Sequence, residues 1–349
     1  MKKVLSLVLV AVVVATLFAL AACGNKVTDG NATTLKLGLG VASSYGTAKD
    51  ADGDTDGSAK VTTNAVAVLL DAEGKIVDIA VDTLDATAAW TSAGVAAAST
   101  EAKTKRELGT DYGMSAYGKK HDGSEGKVLE WFEQADIFEE TVKGKTLDEV
   151  KAFMGEDTYA IGDLAAAGCT VHIDGFIKAL EKAVATAADS KATADDKLNL
   201  AFATTISNTD ATEEKDGSVG VDATIVAAAV NAEGKVAAAK TDALSAKVTF
   251  DTKGAATYDA AAAISTKLEL GDNYNMAAYG TKHDGSEGAV LEWYAQAAAF
   301  DAALEGKTAA EFSALADAEG YGTGDLAAAG CTIGISDMLK AATVAATVA

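Results

Sequence analysis

The stretch Asn64–Asp82, NAVAVLLDAEGKIVDIAVD, decides the fold. Apolar and polar residues alternate on both sides of Asp71–Lys75, which is the period of a strand and not of a helix. Asp-Ala-Glu-Gly-Lys between the two runs is a turn, with Gly74 suited to a positive φ. The stretch predicts an antiparallel β-hairpin. A second version stands at Ala223–Asp242, ATIVAAAVNAEGKVAAAKTD, with an alanine-rich second strand.

The repetition extends well beyond the hairpin. KHDGSEG at Lys120–Gly126 returns at Lys282–Gly288, VLEW at Val128–Trp131 returns at Val290–Trp293, and GDLAAAGCT at Gly162–Thr170 returns at Gly324–Thr332. The landmarks keep their order, with two extra residues in the second copy after the hairpin turn. Each copy is the size of a domain and not of a solenoid unit. The expected class is α+β, with two tandem copies of one domain, each a small antiparallel sheet with packed helices. LKLGLGVASS and LNLAFATTIS supply opening strands. Val128, Leu129, Phe132, Ala135, Ile137 and Phe138 have helical spacing, and Thr146 with Glu149 forms a capping box for a short helix. Phe176, Ile177, Leu180 and Val184 share one face of a last helix, for which Asp174, and Asp337 in the second copy, is the expected N-cap.

At the N-terminus a basic Met-Lys-Lys precedes the apolar run Val4–Leu20, then Leu20-Ala21-Ala22-Cys23. A Cys after small residues at this point resembles the lipobox of bacterial lipoproteins. The resemblance implies a signal peptide over residues 1–22, cleaved before Cys23, and acylation of Cys23. The expected order is then a lipid-anchored tether at 23–34, a first domain at 35–187, a polar linker at 188–197 and a second domain at 198–349. The protein would sit outside the cytoplasm, anchored to the cell membrane through Cys23 and not spanning it.

The formal net charge is −22, which argues against nucleic acid as a partner, because that partner needs a basic face. Proline is absent, so Gly, Asn, Asp and Ser must make the turns. Cys169 and Cys331 hold equivalent places in the two copies and read as small buried hydrophobes; neither disulfide nor zinc spacing is present. DADGDTDG at Asp50–Gly57 loosely resembles a calcium loop but lacks the closing Glu. No metal site is expected. The His121 and His283 loops read either as a cation or flavin-edge contact or as a duplicated surface loop.

The repeated GDLAAAGCT lies just before a helix N-terminus, where unpaired N–H groups favour an anion. Gly168 and Gly330 permit close approach, and Thr170 and Thr332 offer hydroxyls. The bland alternative is a glycine bulge in a strand leading into that helix. The segment resembles the FMN-binding domain of the C subunit of the sodium-pumping NADH:quinone reductase and of extracellular flavin-carrying lipoproteins. That family carries Asp, then Ser-Gly-Ala-Thr, then an amphipathic helix. Here stand Asp163 and Ala167-Gly168-Cys169-Thr170, and Asp325 and Ala329-Gly330-Cys331-Thr332. The hairpin turn, Glu107, Trp131, Gln134 and Gly144-Lys145, with Glu269, Trp293, Gln296 and Gly306-Lys307, fit in the same order. Ala and Cys replace the family's Ser and Ala in both copies.

The resemblance implies FMN, joined through a phosphoester to Thr170 and Thr332 by a flavin transferase, or held without a covalent bond. Gly168, Cys169 and Asp163 would surround it, as would Gly330, Cys331 and Asp325. Tyr117 and Tyr279, in looser segments beside glycines, are the stacking candidates. No nucleophile–base pair, P-loop or G-x-G-x-x-G is present. The resemblance implies an electron carrier more than a turnover enzyme. It would take electrons from a membrane quinol oxidoreductase. The alternative is a flavin-free duplicated-domain surface lipoprotein that binds a small ligand or a protein partner.

Overall fold

The structure is a computed structural model, and it describes residues 33–97, 102–121, 128–278 and 290–347. Cys23 and the segment before it lie outside the described residues, as do Tyr279 and most of both KHDGSEG stretches. From Thr34 onward the chain packs as one compact unit.

The hairpin forms as its sequence dictates. Strand β2 (Gly57–Leu70) pairs with β3 (Ile76–Trp90), and Gly74 turns at φ +77°. Asp71 fastens the turn, its Oδ1 accepting from the Glu73 and Lys75 amides. The strands run further than the alternation alone suggests, and β1 (Lys36–Tyr45) pairs along β2. In the second copy β5 (Lys197–Thr209), β6 (Gly217–Val230) and β7 (Val236–Phe250) repeat the arrangement, down to the same irregularity after the equivalent residues Leu69 and Ala229. The mixed α+β class and the two antiparallel sheets are as expected.

The two sheets bury a common core. Leu39, Val61, Leu69, Leu84 and Trp90 from the first copy join Phe202, Val221, Ile225, Val248 and Phe250 from the second. Trp90 and Phe250 stack with ring centroids 5.1 Å apart, and the Trp90 indole donates to Gly254 O at 2.8 Å. Residues 65–70 are consequently buried on both faces: Ala65, Ala67 and Leu69 between the sheets, Val66, Val68 and Leu70 under helices. The polar stretch 188–197 is not a free tether. Ala188–Asp189 forms strand β4 against β1, Ala192 is fully buried, and its carbonyl accepts the Leu35 amide. A backbone pairs regardless of side-chain polarity, which composition does not reveal.

Helices cover the outer faces. In the first copy these are α1 (Lys105–Leu108), α2 (Met114–His121), α3 (Trp131–Val142), α4 (Leu147–Lys151), α5 (Gly162–Ala167) and α6 (Asp174–Ala185). In the second they are α7 (Lys267–Leu270), α8 (Trp293–Leu304), α9 (Gly324–Ala328) and α10 (Ser336–Thr347). The Thr146–Glu149 capping box forms at α4. Asp174 is not an N-cap: Ile173 holds that position without a side-chain bond, and Asp174, the first helical residue, pairs with Lys178 at 2.9 Å. Its counterpart in α10 is Ser336, so Asp337 lies one residue further in. Helix α6 lies close on β1, since a Cβ at Gly38 would sit 2.1 Å from Ala183 O and one at Gly40 2.0 Å from Ala179 O. Only glycine leaves that room.

Candidate functional site

Helix α3 carries the site. Its buried face holds Trp131, Ala135, Phe138 and Val142, together with one polar residue, Gln134. A buried amide must find partners. Gln134 Nε2 donates to Leu129 O at 3.1 Å and contacts Met114 Sδ at 3.3 Å. Its Oε1 accepts from the Thr170 amide at 2.7 Å and the Thr170 hydroxyl at 3.1 Å. The second copy repeats every contact. Gln296 Nε2 reaches Leu291 O at 2.8 Å and Met276 Sδ at 3.3 Å, and its Oε1 takes the Thr332 amide at 2.8 Å and hydroxyl at 3.4 Å.

These bonds explain the odd Gly-Cys-Thr. Helix α5 ends at Gly168, whose φ of +113° closes the last turn, and Gly330 stands at +93° after α9. Gly168 is a helix C-cap, Gly330 follows the C-cap Ala329, and neither is a bulge in a strand. A Cβ at Gly168 would meet Leu129 Cδ1 at 3.1 Å, and one at Gly330 would meet Leu291 Cδ1 at 2.5 Å. The cysteine that follows points into the core, and both thiols are fully buried. Burial pushes them up to about 11 against a weaker backbone hydrogen bond from Val171 or Ile333, so neither is a reactive thiolate near neutral pH. The threonine then emerges at the surface, held by the glutamine.

Thr170 lines a cavity of about 570 Å³. Tyr112, Tyr117, Trp131 and Tyr159 give it aromatic walls, and Gln134, Lys105 and His172 are its polar groups. The Lys105 ammonium lies 5.1 Å from the Tyr112 ring centre and 5.4 Å from that of Trp131, and 3.3 Å from Asp85 Oδ2. Burial opposes the Asp85 charge, but Lys105, the Thr62 hydroxyl and Lys60 outweigh it and hold the carboxyl below its usual value. Lys267 repeats the cation–π arrangement over Tyr274 and Trp293, at 5.3 Å from each. The volume lies within the range of small-molecule pockets.

The N-terminus of α6 is elsewhere. Asp174 and Gly175 line an adjoining polar cavity of about 330 Å³ with Thr62, Asn64 and Thr83, and only Lys105 and His172 are shared between the two. The sequence places threonine and helix N-terminus in one spot; the structure divides them because Val171–Ile173 intervene, with the Ile173 amide bonded to Thr158 O.

Of the residues singled out from the sequence, Thr170 and Tyr117 line the aromatic cavity, Gly168 shapes the chain beside it and Cys169 lies in the core behind it. Thr332 repeats the bond to the glutamine, Gly330 the positive φ and Cys331 the core position in the second copy. Asp163 and Asp325 are exposed in the first turns of α5 and α9 and are not part of the cavity wall. Lys105, Tyr159 and His172 line the cavity without any signal in the sequence, and Trp131 and Gln134 enter there only as positions that match the family's order. Gln134 left a signal, as a polar residue three places after Trp131 on an otherwise apolar face. Among the described residues no group of His, Cys, Asp and Glu is arranged to hold a metal ion, and no helix is long and apolar enough to cross a membrane. The chain matches no family model, no curated protein and no solved structure.

Proposed function

We propose that the protein is a membrane-anchored, extracytoplasmic electron carrier that holds FMN at Thr170 and Thr332. One observation carries this reading. In both copies a buried glutamine amide fixes the threonine amide and hydroxyl, and in the first copy that threonine opens on an aromatic cavity. The lining suits a planar ring system: Tyr112 and Tyr117 offer aromatic surface, and Lys105 offers a positive charge to an anionic form of the ligand.

When bound, the flavin would supply the redox chemistry, and the protein attachment and orientation. Attachment would deprotonate the Thr170 hydroxyl and join Oγ to phosphorus, displacing the leaving group of the transferase's flavin donor. Gln134 would keep the residue in place through the backbone amide throughout. Acylated Cys23 would hold the carrier at the membrane, within reach of a quinol oxidoreductase.

The test is co-expression with a flavin transferase, followed by intact mass and visible absorbance. One or two FMN additions, lost in Thr170→Ala and Thr332→Ala, are expected. Unmodified mass together with a colourless protein that takes up no added FMN would leave a flavin-free ligand-binding lipoprotein.

A further inference from the structure

Thr158 and Asn275 are the two non-glycine residues with positive φ among the described residues. Asn tolerates that conformation; a β-branched residue there is strained. Thr158 stands at φ +68°, and the equivalent residue of the second copy, Gly320, stands at +86° without that cost. The equivalence is structural: Tyr159 bridges to His172 as Tyr321 bridges to Gly334, and Thr158 O accepts the Ile173 amide as Gly320 O accepts that of Ile335. The fold is therefore satisfied by glycine, and the first copy keeps a strained threonine for another reason.

That reason is His172. The Thr158 hydroxyl lies 2.7 Å from His172 Nδ1, and the imidazole packs on the Tyr159 ring with centroids 3.7 Å apart. Held on one face and at one nitrogen, the ring has a fixed orientation, and Nε2 is the nitrogen left to a ligand. Tyr159 and His172 both line the aromatic cavity beside Thr170. In the second copy Gly320 and Gly334 remove both the hydroxyl and the imidazole, leaving Tyr321 alone. Strain is retained one residue before the cavity-lining Tyr159, where the sister copy has dispensed with it, which is the pattern of strain kept for a functional position.

We propose that Thr158, Tyr159 and His172 form an orienting clamp that makes the cavity beside Thr170 a tighter site for a planar heteroaromatic ligand than the position beside Thr332. Tyr159 backs the imidazole, and Nε2 offers the edge of the ligand one hydrogen bond; Thr158 is a positioning residue acting through His172. The proposal rests on the flavin reading and deepens it, since it ranks the two positions for flavin before any attachment.

The experiment titrates FMN into the full chain, made without flavin transferase, by calorimetry. Two classes of site are expected, about tenfold apart, the size of one hydrogen-bond contribution. His172→Gly should merge the tight class into the weak one. Gly334→His, at a position where an added Cβ meets no atom within 4 Å, should tighten the second site. Thr158→Gly should raise the melting temperature by relieving strain while weakening the tight class, a combination a purely structural role would not produce. Equal sites in the wild type, or a tight class that survives His172→Gly, overturns the clamp and leaves the flavin reading standing. Absence of FMN uptake also overturns the clamp, and the flavin reading is then decided by the mass measurement above.

Discussion

The two copies share their strand register, helix order and glutamine–threonine contact, yet they solve three local problems differently. Where β1 meets α6, Gly38 and Gly40 let the helix backbone touch the strand; in the second copy Asn199 occupies the corresponding place and donates to Ala345 O at 2.9 Å. Between the sheets, Ser43 donates to Thr63 at 2.9 Å; the corresponding Thr204 faces Ala223 across the strands, and its buried hydroxyl has no partner. Above α3, Arg106 bonds Asp136 at 2.7 Å and Glu139 at 2.6 Å; with Leu268 in place of the arginine, Asp301 turns to Thr241, whose hydroxyl donates at 2.6 Å. Identical backbone plans tolerate different chemistry as long as each buried polar group is answered, and Thr204 shows a place where it is not.

The largest expected effect tests what the copies share. Asp82 and Asp242 are buried at the same position, each accepting the amide at the start of a short helix, from Arg106 and Leu268. Burial pushes both carboxyls up to about 6, more than their hydrogen bonds to Thr104 and Thr266 can offset. The folded chain thus keeps protons that the unfolded chain releases. The stabilisation is fully present below the unfolded value of 3.8 and is lost as pH rises through about 6. Each site contributes about 3 kcal/mol to that loss. Urea unfolding should give greater stability at about pH 4.5 than at about pH 7.5, and Asp82→Asn with Asp242→Asn should reduce the slope, the rest coming from Glu139 and Asp301, which burial pushes up to about 7 and about 6. Unequal flattening by the two single variants would break the symmetry assumed here.

Next in size is Gly38→Ala, which drives a Cβ into the Ala183 carbonyl and should cost about 3 kcal/mol. Asn199→Ala, at the matching place, loses one hydrogen bond and should cost about 1 kcal/mol. Similar losses in denaturation midpoint would mean that α6 and α10 sit alike. Gln134→Leu should cost about 2 kcal/mol, because the Thr170 amide loses its acceptor. It should also abolish flavin addition at Thr170 while Thr332 still reacts, read by peptide mass. The smallest effect has opposite signs in the two copies. Thr204→Val should stabilise by about 1 kcal/mol by removing an orphaned hydroxyl, whereas Ser43→Ala should destabilise by a similar amount.

Much of the fold was legible because the signals are local. The hairpin period, the Thr146–Glu149 box and the spacing of Phe176, Ile177 and Leu180 each involve residues within a few turns or one strand, and each forms as its sequence dictates. The site was legible in part. The repeated GDLAAAGCT pointed to Thr170, but His172 and Lys105 reach the same cavity from separate parts of the chain, and no spacing rule joins them.

The sequence by itself determined the duplication, the strand and helix periods and the place of Gly-Cys-Thr after a short apolar stretch. These follow from backbone preferences and side-chain alternation, which act over a few residues. Only the tertiary structure decided that both sheets share one core, that Gly168 caps a helix, and that Gln134 grips Thr170. Those outcomes depend on which distant groups exclude water together, a property of the packed chain and not of any segment within it.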